Sequence, residues 1–349
     1  MSAHGTPLLR YDVTTNDWVL FAPARATRPH PSASQPRSEP RGPCPFCPGN
    51  EHLTPEVIDC LDDPASGAWG VRVVANKYPA LTRAARPDQH ELGPVFREMG
   101  GYGAHEVVIE PPEHSRPFAS QPIEQAERVM RMLHARFVAL MADPYLRAVV
   151  VFKNHGERAG TSQPHPHWQI IATPVVPRQL RLKHEIATEY FDRTSKCLYC
   201  VTLEEELRAG TRVLAASEHY VTVLPFASHV PYQLRILPRE HRSSFGSLPV
   251  EHLRPLAEML QNVLARLDAA LGPTQPHDRN GAARGRGEAL FCVAHRRPAA
   301  PRHARGVRAR QRDVDQSRAA RGGSRRAPAR GAEMKLAMPA EEWSREELV

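Results

Sequence analysis

The segment GTSQPHPHWQIIAT (residues 160–173) decides how the rest of the chain is read. Its second half, HWQIIAT, alternates in the manner of a β-strand bounded by turn residues. Its first half is stiffened by Pro164 and Pro166, which fix φ and remove backbone donors, as suits a pre-organised site. His165 and His167 lie two apart on this extended stretch and are expected to face opposite sides, so that one serves a structural site while the other faces a substrate. The bland alternative is two surface histidines in a proline-rich loop.

Working outward, DWVLFA (17–22), HEVVIE (105–110) and RAVVVFK (147–153) also read as strands, and the Pro-, Ser- and Arg-rich stretch 31–48 as a loop. From Ile123, the residues Ala126, Met130, Leu133, Phe137 and Leu140 recur at helical spacing until Asp143-Pro144 ends the run. Strand, helix, strand, strand is an α+β unit. A second copy starts at Cys197: RVLAAS, YVTVLP and YQLRIL alternate as strands. Leu253, Leu256, Leu260, Val263, Leu267 and Leu271 then give a helix closed by Gly272. The punctuation aligns as well, CPFC (44–47) with CLYC (197–200) and IEPPEHSRPF (109–118) with ILPREHRSSF (236–245). We read an internal duplication of about 150 residues, too long for a solenoid repeat.

The expected organisation is a module over 1–180, a partial second module over 181–272, an anomalous segment over 273–330 and a tail over 331–349. Residues 273–330 hold 15 Arg against 4 acidic residues, so the basic charge of a chain with net +8 belongs to this one segment and the remainder is net negative. A solvated, disordered tail is one reading of its composition. The other is a frameshift. A coding sequence for FAWHIDVLPRLATPAGFELGSGMSI, read two nucleotides out of frame, yields CVAHRRPAAPRHARGVRARQRDVDQ (292–316), and the restored Trp-His-Ile matches His167-Trp168-Gln169-Ile170 in its place within the repeat. On that reading the second module is disrupted where its last strands should lie, and the frame returns near GAEMKLAMPAEEW (331–343).

At 349 residues and 41% hydrophobic, the chain has material for one large core or two ordinary domains, which excludes wholesale disorder. No apolar run approaches the roughly 20 residues of a membrane span, and MSAHGTPLLRYD lacks the apolar stretch of a secretory signal, so a cytoplasmic protein is expected. In a reducing compartment, paired C-x-x-C points to metal before disulfide. Cys44, Cys47, His114 and His165 form a Cys₂His₂ set suited to tetrahedral Zn²⁺ in a closed, structural site. Cys197, Cys200 and His241 repeat the pattern but lack a fourth ligand at the matching place, and His295 is out of register, so this second site is expected to be incomplete.

These residues resemble the galactose-1-phosphate uridylyltransferases, a branch of the histidine-triad superfamily. The resemblance is carried by DWVLFAPARATRP (17–29), CPFC, NKYPAL (76–81), EHSRPF (113–118) and NHGERAGTSQPHPHWQI (154–170), and it extends to about Gly272. It implies an α+β fold of two tandem histidine-triad-like modules, each an antiparallel sheet with packed helices. It implies His167 as the nucleophile that takes a uridylyl group, Gln169 as the residue holding the phosphoryl oxygens, and His165 as a zinc ligand beside Cys44, Cys47 and His114. Arg25, Arg28, Asn76, Asn154, Gly160 and Ser162 match positions that contact the nucleotide or its phosphates. Trp168 departs from the small residue common at its place, which would alter the shape of the pocket.

The expected enzyme is a nucleotidyltransferase that moves UMP from UDP-glucose to galactose 1-phosphate, a ping-pong scheme through a covalent nucleotidyl-histidine that asks for no magnesium. Its partners are these small molecules, a homodimer is implied by the resemblance, and no membrane is expected. The same residues would serve a nucleotide-sugar or dinucleoside-polyphosphate phosphorylase or adenylyltransferase. A rival of another class is a nucleic-acid-binding zinc protein using the Arg-rich segment against phosphates. That segment has almost no interleaved aromatics, which disfavours it. A frame disruption that leaves a catalytically dead chain is the third possibility.

Overall fold

The alternation in HEVVIE and HWQIIAT is realised as two adjacent antiparallel strands at the centre of a five-stranded sheet. The structure, a computed structural model, describes residues 8–21, 42–155, 163–230 and 232–271. In chain order the strands are β1 (Leu8–Asp12), β2 (Asp17–Phe21), β3 (Val57–Asp62), β4 (Trp69–Ala75), β5 (Gln89–Glu91), β6 (Arg97–Met99), β7 (Ala104–Ile109), β8 (Ala148–Phe152), β9 (His167–Thr173), β10 (Val213–Ala216), β11 (Tyr220–Val223) and β12 (Arg235–Pro238). The helices are α1 (Ile123–Met141), α2 (Arg178–Thr194), α3 (Leu198–Ala209) and α4 (Leu253–Leu271). The large sheet runs β3-β4-β7-β9-β8, every pair antiparallel.

The period of two sorts this sheet into two faces. Val71, Val73, Val108, Trp168, Ile170 and Ala172 point toward α1 and join one core with Ala126, Val129, Met130, Leu133, Phe137 and Leu140. Their spacing of three and four wraps a single stripe around α1, as the sequence predicts. Arg136 on α1 reaches the buried Glu106 on β7 through two hydrogen bonds of 2.9 and 2.7 Å, which fixes the helix against the sheet. The opposite face carries Val74, Val107 and Ile109, covered in part by Phe46 and Trp69. With both faces covered, β4 is buried almost end to end, so its sequence WGVRVVA does not alternate.

The second module repeats the plan over a three-stranded antiparallel sheet, β10-β11-β12. Helix α4 lies on it and on α1, and Leu253, Leu256, Ala257, Leu260 and Val263 merge into the same core as α1. Gln261 of α4 donates to the carbonyls of Phe118 and Gln121 (2.9 and 2.8 Å), and Arg254 pairs with Glu124 and Glu127. The aligned PPEHSRPF and PREHRSSF segments lead in both copies to a short 3-10 turn opened by a buried phenylalanine, Phe118 or Phe245. Among the described residues, this sheet holds counterparts of β3, β4 and β7 and none of β8 and β9. The anomalous segment 273–330, the cap at Gly272 and the tail 331–349 lie outside the described residues, and the frameshift expectation lies there with them.

DWVLFA is a strand, as expected, and pairs with Leu8–Asp12 in a hairpin separate from the large sheet. That hairpin reaches the second module, where Arg10 donates to the carbonyl of Phe226 (3.1 Å) and the buried Asp12 pairs with His229 (2.8 Å). His165 and His167 do not face opposite sides: residues two apart on a regular strand share a face, and both rings stand edge-on to Phe46, with centroids 6.0 and 5.3 Å away. His165 sits in the bend before β9, and only His167 belongs to the strand. Trp168 does not shape the pocket directly. It points to the α1 face, is 2% exposed, and stacks edge-on against Phe118 with ring centroids 5.9 Å apart. Its truncation, Trp168→Ala, is therefore expected to cost about 3–5 kcal/mol of stability through the cavity it leaves. Denaturant titration of the variant checks this, and a loss under about 1 kcal/mol would contradict the core assignment.

Candidate active site and metal centre

The face of the large sheet turned away from α1 gathers the polar groups. His167 opens β9 opposite Ile109, and Gln169 follows two residues later opposite Val107, so both stand on the apolar floor of Val74, Val107 and Ile109. His167 is 7% exposed. Its Nδ1 donates to the carbonyl of His165 at 2.8 Å, which fixes the tautomer and puts the ring's lone pair on Nε2. Burial pushes its pKa below the usual histidine value; the bond to the His165 carbonyl opposes this, Lys153 adds to it and Glu110 opposes it. The ring is held as a neutral imidazole, the form with a lone pair to offer. Phe46 stands edge-on to it with centroids 5.3 Å apart, an apolar wall on one side.

Close to His167 lies a buried ion pair. Glu110, fully buried, takes Lys153 and the amide of Gln121 (2.8 Å), and Lys153 also lies 5.7 Å from the centre of the Trp168 ring. A charge pair of this kind is costly to break from one side, so it ties the end of β8 to the end of β7 across the start of β9.

The four cysteine and histidine residues singled out in the first module meet. One ligand atom from each of Cys44, Cys47, His114 and His165 lies within 4.8 Å of every other. Cys47 Sγ is 3.2 Å from His114 Nδ1 and 3.6 Å from His165 Nδ1, and Cys44 Sγ is 3.8 Å from His165 Nδ1. His165 is fully buried, and its Nε2 donates to the carbonyl of Pro111 at 2.8 Å, which turns a bare Nδ1 toward the two sulfurs. Burial lowers its pKa to about 4, so the ring is neutral and free to ligate. Burial, and then the neighbouring Cys44, raises the Cys47 thiol. A cation would reverse that and stabilise the thiolates. The donor set, its spacing and the anchored imidazole fit a metal ion, which would tie the Cys44–Cys47 loop, the turn after β7 and the entry to β9 into one unit.

The loop has its own supports. Asn50 donates to the carbonyl of Cys44 (2.9 Å), and the buried Arg72 on β4 reaches Thr54 (3.1 Å) and the carbonyl of Pro45 (3.5 Å). The second set also meets: Cys197, Cys200 and His241 lie within the same 4.8 Å limit, with Cys200 Sγ 3.3 Å from His241 Nδ1. Burial, followed by Cys197, raises Cys200 to about 11. Three donors meet here among the described residues, one fewer than in the first cluster.

Of the other residues singled out, Asn76 follows β4 and Asn154 follows β8, both half-buried. Arg25, Arg28, Gly160 and Ser162 lie outside the described residues. Sequence reasoning passed over His105, whose Nε2 is 2.9 Å from Gln169 Oε1 and 3.1 Å from Asn76 Nδ2. It also passed over Phe46, Arg72 and the Glu110–Lys153 pair. No helix among the described residues is long and apolar enough to cross a membrane.

Comparison with known proteins agrees with this geometry. The family model described as galactose-1-phosphate uridyl transferase, N-terminal domain, matches residues 2–177. An ADP-glucose phosphorylase of Arabidopsis thaliana is 34% identical over 269 residues, 75% of this chain and 74% of that protein. A galactose-1-phosphate uridylyltransferase of Thermotoga maritima is 29% identical, covering 77% of this chain and 78% of its own. The crystal structure of an Arabidopsis thaliana ADP-glucose phosphorylase with bound ADP-glucose superposes with a TM-score of 0.64 at 31% identity, over 76% of this chain and 79% of that one. With its fold, its paired Cys/His clusters and these similarities together, the chain belongs to the galactose-1-phosphate uridylyltransferase family of nucleotidyltransferases.

Proposed function

We propose that the chain transfers a nucleoside monophosphate from a nucleoside-diphosphate hexose to a phosphorylated acceptor through a covalent adduct on His167, with UDP-glucose as donor and galactose 1-phosphate as acceptor. The observation that carries this is the fixed tautomer of His167: Nδ1 is spent on the His165 carbonyl, so Nε2 of a buried, neutral ring is the reacting atom. Nε2 attacks the α-phosphorus, the bond to the bridging oxygen breaks, and hexose 1-phosphate leaves with that oxygen. The acceptor's phosphate oxygen then attacks the same phosphorus and expels Nε2, so two inversions give net retention. Gln169, two residues on and on the same face, donates its amide N–H to the charge that builds on the phosphoryl oxygens. Asn76, Asn154, Arg25, Arg28, Gly160 and Ser162 serve in this reading as the contacts to nucleotide and phosphates.

Zinc is the ion this reading places at Cys44, Cys47, His114 and His165, because two thiolates and two imidazoles complete a tetrahedron with no open position. Its part is structural: it fixes the strand entry that carries His167. Residues 1–180 hold this machinery, and 181–272 form the companion module.

A second reading is favoured by the Arabidopsis relative, which is named an ADP-glucose phosphorylase. The same adduct would then carry AMP and be resolved by inorganic phosphate. Intact mass after mixing the protein with UDP-glucose or with ADP-glucose separates the two, since the adduct is expected to be UMP in the first reading and AMP in the second. UDP-glucose alone is expected to release one equivalent of glucose 1-phosphate per active chain before any acceptor is added. Folded protein that forms no adduct with either sugar nucleotide contradicts the mechanism itself.

A further inference from the structure

Gln169 presents a problem that its own sequence position does not solve. A primary amide helps a phosphoryl transfer only with its N–H₂ toward the oxygens, and a half-turn about the terminal bond would aim its carbonyl oxygen there instead, a repulsive arrangement. Something must hold the oxygen away. On β7, one strand over, His105 stands on the same open face, and its Nε2 lies 2.9 Å from Gln169 Oε1.

The direction of that contact follows from the other side of the ring. The backbone N–H of Ala80 donates to His105 Nδ1 at 3.2 Å, so Nδ1 is an acceptor and the proton of the neutral ring sits on Nε2. From there it can be donated only to an oxygen, and Gln169 Oε1 is in range. Asn76 Nδ2 also approaches Nε2 (3.1 Å), but the Asn76 oxygen already accepts from the N–H of Tyr78 (2.9 Å), so its amide offers His105 only a second donor. The tautomer with the proton on Nδ1 would satisfy Asn76 alone and oppose Ala80. The tautomer with the proton on Nε2 satisfies both Ala80 and Gln169. Ala80 lies in the segment after β4, and the N–H of Asn76 donates to the carbonyl of His105 (2.8 Å), so backbone bonds hold that segment against β7 and present the Ala80 N–H to the ring.

We propose that His105 is the positioning residue of the site: it locks the amide of Gln169 with the carbonyl oxygen turned back and the N–H₂ facing the phosphoryl group. This rests on the reading of His167 and Gln169 given above. His105 touches neither substrate nor reacting nitrogen. It acts through Gln169 alone, and its removal lowers the rate of the chemical step while leaving nucleotide-sugar affinity in place.

The test is a double-mutant cycle in single-turnover nucleotidylation, run with the full chain and the sugar nucleotide that forms the adduct. His105→Phe, which keeps a flat ring and removes the donor, is expected to slow adduct formation about ten- to hundredfold, less than the loss of a direct oxyanion donor, with the dissociation constant for the sugar nucleotide unchanged within about threefold. Gln169→Ala slows it at least as much. The combined variant is expected to be no slower than Gln169→Ala alone, because a positioning residue has nothing left to position. His105→Gln restores an N–H donor and is expected to recover most of the rate, which a purely structural role would not allow. Losses that multiply in the double variant, or a His105→Phe protein that reacts at the parent rate, overturn the proposal. The parent's adduct on His167, measured in the same series, reports separately on the underlying reading: if it is present and the losses multiply, the role of His105 alone falls, and if it is absent, both fall.

Discussion

A chain carrying His167→Ala is expected to form no nucleotidyl adduct and to lose at least about 10⁴-fold in turnover, while still binding the sugar nucleotide within a few-fold of the parent. Attack at phosphorus needs one lone pair, and the structure leaves one: Nε2 of a ring whose Nδ1 proton is held by the His165 carbonyl at 2.8 Å. Burial keeps the ring in the form that owns that pair. In the proposed reading, recognition of a nucleotide and a diphosphate falls on other groups, so removing the imidazole takes away an interaction that matters in the transition state and little in the ground state. Intact mass with the sugar nucleotide reads the adduct, and equilibrium binding reads the affinity. A variant that turns over at the parent rate would show the nucleophile to be another residue, and a labelled adduct on a different histidine would keep the reaction class while moving its site.

The contrast between His167 and His105 shows which parts of such a site are legible in one dimension. The P-H-P-H-x-Q run announces itself because the proposed nucleophile, the candidate ligand and the amide are packed within five residues. CPFC and its echo at 197–200 do so because metal spacing is local, and the shared P-x-x-His places the third ligand. His105 has no such signal. In HEVVIE it reads as one polar member of an alternating strand, and its role arises only when β7 pairs with β9 in a register that sets His105 opposite Ile171, one diagonal step from Gln169. Arg72 is the same case. It sits inside an apolar run and gains a purpose only when β4 passes under the Cys44–Cys47 loop.

The elements that escaped the sequence reading did so for physical reasons too. β4 is covered on both faces, so it lost the period of two that marks a half-buried strand. Helix α2 buries only Ile186 and Ala187, too narrow a stripe to stand out from its charged flanks, and α3 begins within CLYC, whose cysteines drew the metal reading instead. The helices α1 and α4 were plain because each faces a sheet and the other helix at once, and that demands a long, regular apolar stripe. Trp168 shows the converse error. Its neighbours in sequence are site residues, but strand geometry sends adjacent side chains to opposite faces, so the largest residue of the motif is a core residue.

The same geometry sets the second large effect, which concerns metal rather than chemistry. Cys47→Ser is expected to strip the ion from the first cluster and to destabilise the chain by more than the roughly 3–5 kcal/mol assigned to Trp168→Ala, because in small folds binding of a structural zinc ion is itself of order 10 kcal/mol of folding free energy. Cys47 is central to its set: its sulfur lies 3.2 and 3.6 Å from the two imidazole nitrogens. Without the ion, His165 keeps its Pro111 anchor but loses the reason to bury an imidazole among thiols, and the bend that starts β9 at His167 loses one of its ties. Elemental analysis of the parent is expected to find zinc, and a chelator is expected to lower its melting temperature as the substitution does. Cys200→Ser offers the internal control. Its cluster brings three donors together among the described residues, so its loss is expected to cost less, in both metal content and stability. Folded parent protein that holds no metal, with Cys44 and Cys47 open to alkylation, would overturn the assignment. Equal losses from Cys47→Ser and Cys200→Ser would instead mean that the second cluster finds its fourth ligand.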